Sequence, residues 1–326
     1  MGWGSITLRS IIKNIPFAKA VIRFLRNPLK YLNLLESDNY RFISTFEPGH
    51  FYSPIPEYDD FVDHGRCLCD RSITEIAGIN LNTEHQTELI SAFSKYYQGM
   101  PFAEQKTDGA RFWLDNGLFS YGDPVILYSF LRHFRPKRIV EVGSGFSSAA
   151  MLDVNDKFFD SAIEFDFVEP YPDRLYDLLS EEDKDKYRIR VTKIQEAPLD
   201  IFLPLFENDI LFIDSSHVAK VGSDLVYILS EILPILNKGV IVHFHDILWP
   251  FEYPDEWFVD GRAWNEAYFL KAFLQFNNTY EIVYFNSQMK THFSTQLEES
   301  LPITLCTPSN FPYTQGNSSL WLQKIR

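Results

Sequence analysis

Cysteine is scarce in this chain. Cys67, Cys69 and Cys306 are its only three in 326 residues, an odd set with no zinc-site spacing and no disulfide framework. They read as free thiols, which makes the cytoplasm the expected compartment. Long apolar runs are missing too. Lysines and arginines interrupt every one, so neither a signal-peptide core nor a transmembrane span is expected. Net positive charge is absent: the formal charge is −14, which argues against nucleic acid as a general partner, since that needs a basic face. What the chain does have is a 45% hydrophobic share, enough for a sizeable core, and 16% aromatic residues, enough for aromatic-lined pockets or large packed loops. Its length suits one large α/β domain with an extension, or two domains.

Charge is unevenly spread. Arg9, Lys13, Lys19, Arg23, Arg26 and Lys30 all precede the first acid, Glu36. This basic island reads either as a solvated helix face or arm, or as a basic amphipathic helix resting on an anionic membrane surface or an acidic partner. Met1-Gly2 is followed by Ile6 where a myristoylation motif needs Ser or Thr. Residues 1–105 form an N-terminal helical and irregular extension: a helix around 6–35 broken at Pro16 and Pro28, a proline-punctuated aromatic loop over 46–57, and a helix over 83–97. That helix starts with Thr83 as cap and Gln86 three residues on.

From Tyr121 helix and strand alternate regularly. Pro124 opens a helix to about Phe134. Strands are predicted at 138–142, 163–168, 188–192, 210–214, 239–245, 281–285 and 319–323, with helices at 146–157, 172–182, 221–236 and 263–276. This order implies an α/β fold with a mostly parallel, doubly wound sheet. The last two strands lack a long helix between them, so one runs antiparallel. Residues 287–316 form an unusually long link.

In such sheets ligands bind outside the carboxyl ends of the strands. There the sequence places Glu141, Gly143 and Gly145, then Glu169, then Gln195 and Glu196, then Asp214, Ser215, Ser216 and His217, then His245 and Asp246. Glu169 follows the glycine turn by a little over twenty residues, where a carboxylate can accept both hydroxyls of a ribose. The third glycine of the dinucleotide fingerprint is replaced by Ser148. Glu141 would repel a pyrophosphate but suits an ammonium. A nicotinamide-dependent oxidoreductase is therefore disfavoured, and a non-catalytic binding module of the same fold is the remaining rival.

The motif Glu141-Val-Gly-Ser-Gly-Phe-Ser147 resembles motif I of the class I S-adenosylmethionine-dependent methyltransferases. Phe167-Val-Glu-Pro170 resembles their ribose-binding motif. Ile210-Leu-Phe-Ile-Asp214, Gly239-Val-Ile-Val-His-Phe-His-Asp246 and Ser319-Leu-Trp-Leu-Gln323 resemble their fourth, fifth and last strands. The resemblance covers a domain over 106–326. It implies a Rossmann-like seven-stranded sheet with an antiparallel last strand, and S-adenosylmethionine as cofactor. Cofactor contacts carry over onto Glu141, Gly143, Gly145, Ser147 and Glu169, and more loosely onto Gln195 and Asp214. Trp113, Asn116, Tyr121, Gly122 and Asp123, before the first strand, are weaker cofactor-covering candidates. Asp214 and Asp246 are similar to the Mg²⁺-binding acids of O-methyltransferase members, with His245 a third ligand, although Ile247 and His245 depart from that pattern. His245 equally permits a metal-free route as general base, with Asp214 and His217 beside it. His243, deeper on the same strand face, reads as a core histidine. The loop 249–257 reads as a substrate wall or a packed loop. The expected reaction is O-methylation of a small-molecule or glycan-like hydroxyl, with peripheral membrane contact and a homo-oligomer left open.

Overall fold

A computed structural model describes residues 45–57, 70–309 and 316–326. The basic segment before Glu36 and the Cys67/Cys69 pair lie outside these residues. The chain divides into two compact units, 1–66 and 67–326.

The second unit is built on one seven-stranded sheet of order β3-β2-β1-β4-β5-β7-β6. Its strands are β1 (Arg138–Val142), β2 (Glu164–Val168), β3 (Arg188–Arg190), β4 (Ile210–Ile213), β5 (Ile241–Phe244), β6 (Tyr280–Phe285) and β7 (Leu320–Lys324). The strands from β3 to β5 pair in parallel, and β7 runs antiparallel between β5 and β6. This is the Rossmann-like sheet with an antiparallel last strand. Central strands are mostly apolar because both faces are covered: all of Ile210–Ile213 and Ile241–Phe244 are buried, His243 being the one polar side chain among them. Two apolar layers result, one around Phe130, Phe212 and Trp321, the other around Phe202, Phe244 and Phe285. Phe130 stacks on Trp321 at 3.9 Å.

The helix α1 (Thr83–Tyr97), assigned from sequence to the extension, packs within this second unit against α2 (Gly122–Phe134) and β6. Its start differs from the expected cap. Asn82, in a left-handed conformation, precedes the helix, and no side chain caps it. Gln86 is fully buried and serves tertiary contacts instead: its amide donates to Leu81 O and Gln288 Oε1, and its Oε1 accepts from Phe285 N–H at 2.7 Å. Residues 287–316 also differ from a plain link. Helices Asn286–His292 and Ser294–Ser300 and a 3-10 turn Pro302–Leu305 occupy much of it. Two turns of helix are too short to show a convincing period in sequence. The helix predicted over 221–236 begins at Asp224, capped by Ser223, and contains a π-helical stretch over Ile228–Ile232.

Candidate functional site

The glycine turn joins β1 to α3 (Phe146–Phe158). Gly143 has φ +81°, and a Cβ there would stand 1.8 Å from Asp214 O. Only glycine lets the ends of β1 and β4 approach this closely. Gly145 is different: it is extended, and a Cβ would meet only Arg174 Cδ, at 3.2 Å.

Glu141 is fully buried, and its carboxylate accepts from the hydroxyls of Ser147 (2.5 Å) and Ser148. Ser148 Oγ in turn accepts from Gly145 N–H at 3.0 Å. A serine in place of the third glycine therefore closes the turn. Burial pushes the Glu141 carboxyl up to about 8, against the two serine hydroxyls. Both Glu141 oxygens have protein partners, so the acid shapes the turn from beneath, while Ser147 also borders the cleft. Glu169 is presented from the end of β2 by backbone: Ser144 N–H donates to one oxygen at 3.0 Å and Tyr171 N–H to the other at 2.7 Å. A carboxylate held by one donor per oxygen keeps lone pairs free for two hydroxyls.

These elements border two adjacent chambers that share part of their lining. One, of about 520 Å³, is lined by Val168, Glu169, Tyr171, Ile194 and Gln195. Gln195 is fixed there by donating to Gly222 O at 2.7 Å. The other, of about 400 Å³, is lined by Phe119, Phe146, Arg174, His217, His245 and Trp264, with Asp246 among the remaining walls. Gly143, Glu169, Asp214, Ser215 and Ser216 belong to both.

The second chamber holds the titratable groups. His217 is buried with φ +60°, and Asp246 has φ +56°. Non-glycine residues in this region store strain of about 1–3 kcal/mol, which functional sites tolerate. His217 Nδ1 lies 2.8 Å from Glu266 Oε2, and its Nε2 lies 3.4 Å from Asp214 Oδ1 and 3.7 Å from Asp246 Oδ2. Trp264 covers the ring, 4.4 Å between centroids. Burial pushes this imidazole down, but hydrogen bonds to Asp214 and Glu266 and the surrounding charges hold it well above the ordinary histidine range. His245 Nε2 lies 3.6 Å from Asp246 Oδ1, its Nδ1 is buried without a protein partner, and its ring rests 5.3 Å from that of Phe119. Burial lowers it, and the charges of Asp246 and Asp214 raise it by more. For Asp214 burial acts upward and is outweighed by His245 and His217, so its carboxyl lies below the usual range.

His243 is a core residue. It stacks on Phe212 at 3.7 Å, its Nε2 meets Ser319 Oγ at 2.9 Å, and burial beside His245 drives it well below the ordinary value. The loop 249–257 packs inward: Trp249, Phe251, Tyr253 and Trp257 are all buried.

Several expected residues are placed elsewhere. Tyr121 is buried, donates its hydroxyl to Glu104 Oε1 at 3.2 Å, and lines neither chamber. Asp123 is buried against β7, accepting from Asn286 Nδ2 (2.9 Å), Ser319 Oγ (2.7 Å) and Ser318 N–H (3.1 Å). Asn116 knots its own loop, bonding Trp113 O, Phe119 O and Phe119 N–H. That knot carries the two residues from this region that do wall the cleft, Leu118 and Phe119. The expected ligand set Asp214, Asp246 and His245 is not assembled as one. Among the described residues no group of three or more His, Cys, Asp or Glu is placed to hold a metal ion. Asp214 and Asp246 converge instead on His217 Nε2, which occupies the space between them. Glu266 was not expected. Its only sequence signal is an acid opening the helix Glu266–Gln275 just after an aromatic loop.

Residues 140–247 match the methyltransferase domain family, over the stretch that runs from β1 to just past β5. This segment resembles a methyltransferase domain. Over 130 residues the chain is 38% identical to an uncharacterized protein of Archaeoglobus fulgidus, covering 39% of this chain and 59% of that protein. Similar solved structures include the SAH-bound methyltransferase PaMTH1 of Podospora anserina, at 15% identity, with 83% of this chain and 98% of that chain covered and a TM-score of 0.38. The apo structure of CmcI-N160 is 13% identical, with 71% and 84% covered and a TM-score of 0.40. At these scores neither likeness bears on the methyltransferase site.

Proposed function

We propose that the protein is an S-adenosylmethionine-dependent methyltransferase that methylates a hydroxyl of a small molecule or glycan. One observation carries this reading: a single cleft joins a backbone-anchored Glu169 to the His245, Asp246, Asp214 and His217 group across the Gly143 turn.

The residues fit the cofactor. Glu169 keeps acceptors for a ribose, while Val168, Ile194 and the exposed Tyr171 give an apolar bed for a purine. Gly143, without a side chain, leaves the backbone open at the junction of the chambers. When bound, the sulfonium supplies an activated methyl group. The chain's own task is to place a hydroxyl in line with that methyl and take its proton. His217, bracketed by three carboxylates, is held as a cation and so fixes Asp214 and Asp246. His245 is left as the base, its Nε2 taking up the proton beside Asp246 Oδ1, which stabilises the resulting imidazolium. Phe119 and Phe146 exclude water from the same chamber.

Calorimetric titration with S-adenosylmethionine tests the cofactor half. The expected result is saturable binding, weakened at least ~10-fold by Glu169→Ala, which removes two charge-assisted ribose hydrogen bonds. Absence of binding to folded protein overturns the reading.

A further inference from the structure

We propose that the 46–57 loop docks on an anionic lipid bilayer, its aromatic tip entering the headgroup layer and the basic sequence before Glu36 adding charge attraction. Two independent observations support it.

The first is structural. Among the described residues, four exposed large hydrophobics fall in one ten-residue loop: Phe46 (38%), Phe51 (81%), Tyr52 (67%) and Ile55 (43%). The loop holds itself together. Gly49 N–H donates to Ile55 O at 3.0 Å, His50 N–H to Glu47 O at 3.0 Å, and Ser53 N–H to His50 O at 2.6 Å, while Tyr52 N–H donates to His50 Nδ1 at 3.1 Å. Gly49 has φ +92°, and a Cβ there would lie 2.9 Å from Glu57 Cβ, so its lack of a side chain lets the base close. Rings of Phe46, His50 and Phe51 stack in sequence, with centroids 4.9 and 4.3 Å apart, and Tyr52 tilts against Phe51 at 4.3 Å. The backbone is satisfied internally while the aromatic faces are left in water. Glu57 sits at the closed base beside Gly49, and Glu47 before it, so the tip over 50–54 carries no acid. Aromatic rings with one polar end favour the membrane–water interface.

The second observation is in the sequence. Six Lys and Arg precede the first acid, interleaved with Ile11, Ile12, Ile15, Val21, Ile22, Phe24 and Leu25, in a chain whose net charge is −14. The composition is that of an interfacial anchor. Charge complementarity selects a negative bilayer: each Lys or Arg near such a surface strengthens binding by about fivefold. The weak attraction of one element becomes stable attachment when two act together.

The test is co-sedimentation of the full chain with vesicles. Equal parts phosphatidylglycerol and phosphatidylcholine should bring the protein down, pure phosphatidylcholine should not, and high salt should release it. The variant Lys13→Gln/Arg23→Gln/Arg26→Gln should bind about 100-fold more weakly. Phe51→Ser/Tyr52→Ser changes two exposed side chains, should leave the thermal midpoint in place, and should lose about tenfold of the binding. No partition onto anionic vesicles overturns the proposal. So does equal partition onto both vesicle types. A tip variant that binds like the parent overturns the role of the loop and turns that face into a surface for protein.

Discussion

The two halves of the cleft are built from different materials. Around β1 and β2, the carboxylates are matched: both oxygens of Glu141 and of Glu169 have donors, supplied by hydroxyls and backbone N–H groups of the turns themselves. Around β4 and β5, side chains with mobile protons crowd together, two of them on positive-φ backbone, and both His245 Nδ1 and Glu266 Oε1 are buried without a partner. A ligand that is merely held needs fixed geometry, which backbone provides cheaply. A proton that must move needs groups of comparable affinity facing one another, and strain is tolerated there.

The largest effect should come from the seam between the halves. Gly143→Val puts a Cβ 1.8 Å from Asp214 O on left-handed backbone, so β1 and β4 must separate. A loss of at least ~3 kcal/mol is expected from overpacking and strain together, about 6–12 °C in Tm, with cofactor binding abolished in calorimetry. Gly145→Ala, two residues on, meets only the flexible Arg174 chain and should cost under ~1 kcal/mol. Equal effects would mean the seam is not special.

His245→Ala comes next and should divide the halves cleanly. Turnover should fall ~10²–10⁴-fold, the usual contribution of a general base, while cofactor affinity in calorimetry changes little. In the parent the rate should rise with pH through a titration above the ordinary histidine value of about 6.5, since the free base is the active form and Asp246 and Asp214 raise it. A parallel loss of cofactor binding would place His245 in the holding half.

How much of this was legible beforehand follows from distance along the chain. β1, β4 and β5 are readable because strands covered on both faces are largely apolar runs, unbroken in β4 and interrupted only by Glu141 in β1 and His243 in β5. The glycine turn and Glu169 were readable because a short stretch carries both. Glu266, 49 residues from His217, has no local pattern to announce it, and neither has Phe119 beside His245. Gln86 misled for the opposite reason. It matched a local capping rule, but buried partners at Phe285 and Gln288 outcompete a helix end. Tyr121 was judged by its place before the first strand, while its side chain turns toward Glu104.

Two buried charge clusters, one inside the cleft and one outside it, should also titrate in opposite senses. Beside α3 and outside both chambers, Arg111 clamps Asp153 and Asp183, at 3.0 and 2.6 Å. Burial pushes Asp183 up, but the bonds from Arg111 and Ser180 bring it to about 2. Its folded value is depressed, so its contribution is present above about 3.8 and is lost as pH falls toward about 2. His217 has a raised folded value. Its contribution is complete below about 6.5 and is lost as pH rises through that higher value. Thermal melts should therefore show an alkaline slope that His217→Gln removes and an acid slope that Asp183→Asn removes. If either variant flattens both slopes, the two clusters are electrostatically one unit.

The smallest expected effect is the most discriminating. Tyr121→Phe removes a hydroxyl that donates to Glu104 Oε1 at 3.2 Å, one hydrogen bond worth about 0.5–1.5 kcal/mol. Its phenol lines neither chamber, so the holding half should be untouched and cofactor affinity should stay within about twofold. A tenfold loss of affinity with a small change in Tm would contradict that, because one hydrogen bond in the loop cannot reach Glu169 or Gly143 through rigid backbone. The 113–121 loop would then have to re-form over the bound cofactor. The holding half would owe part of its affinity to a side chain, and the division between backbone for binding and side chains for chemistry would fail at that point.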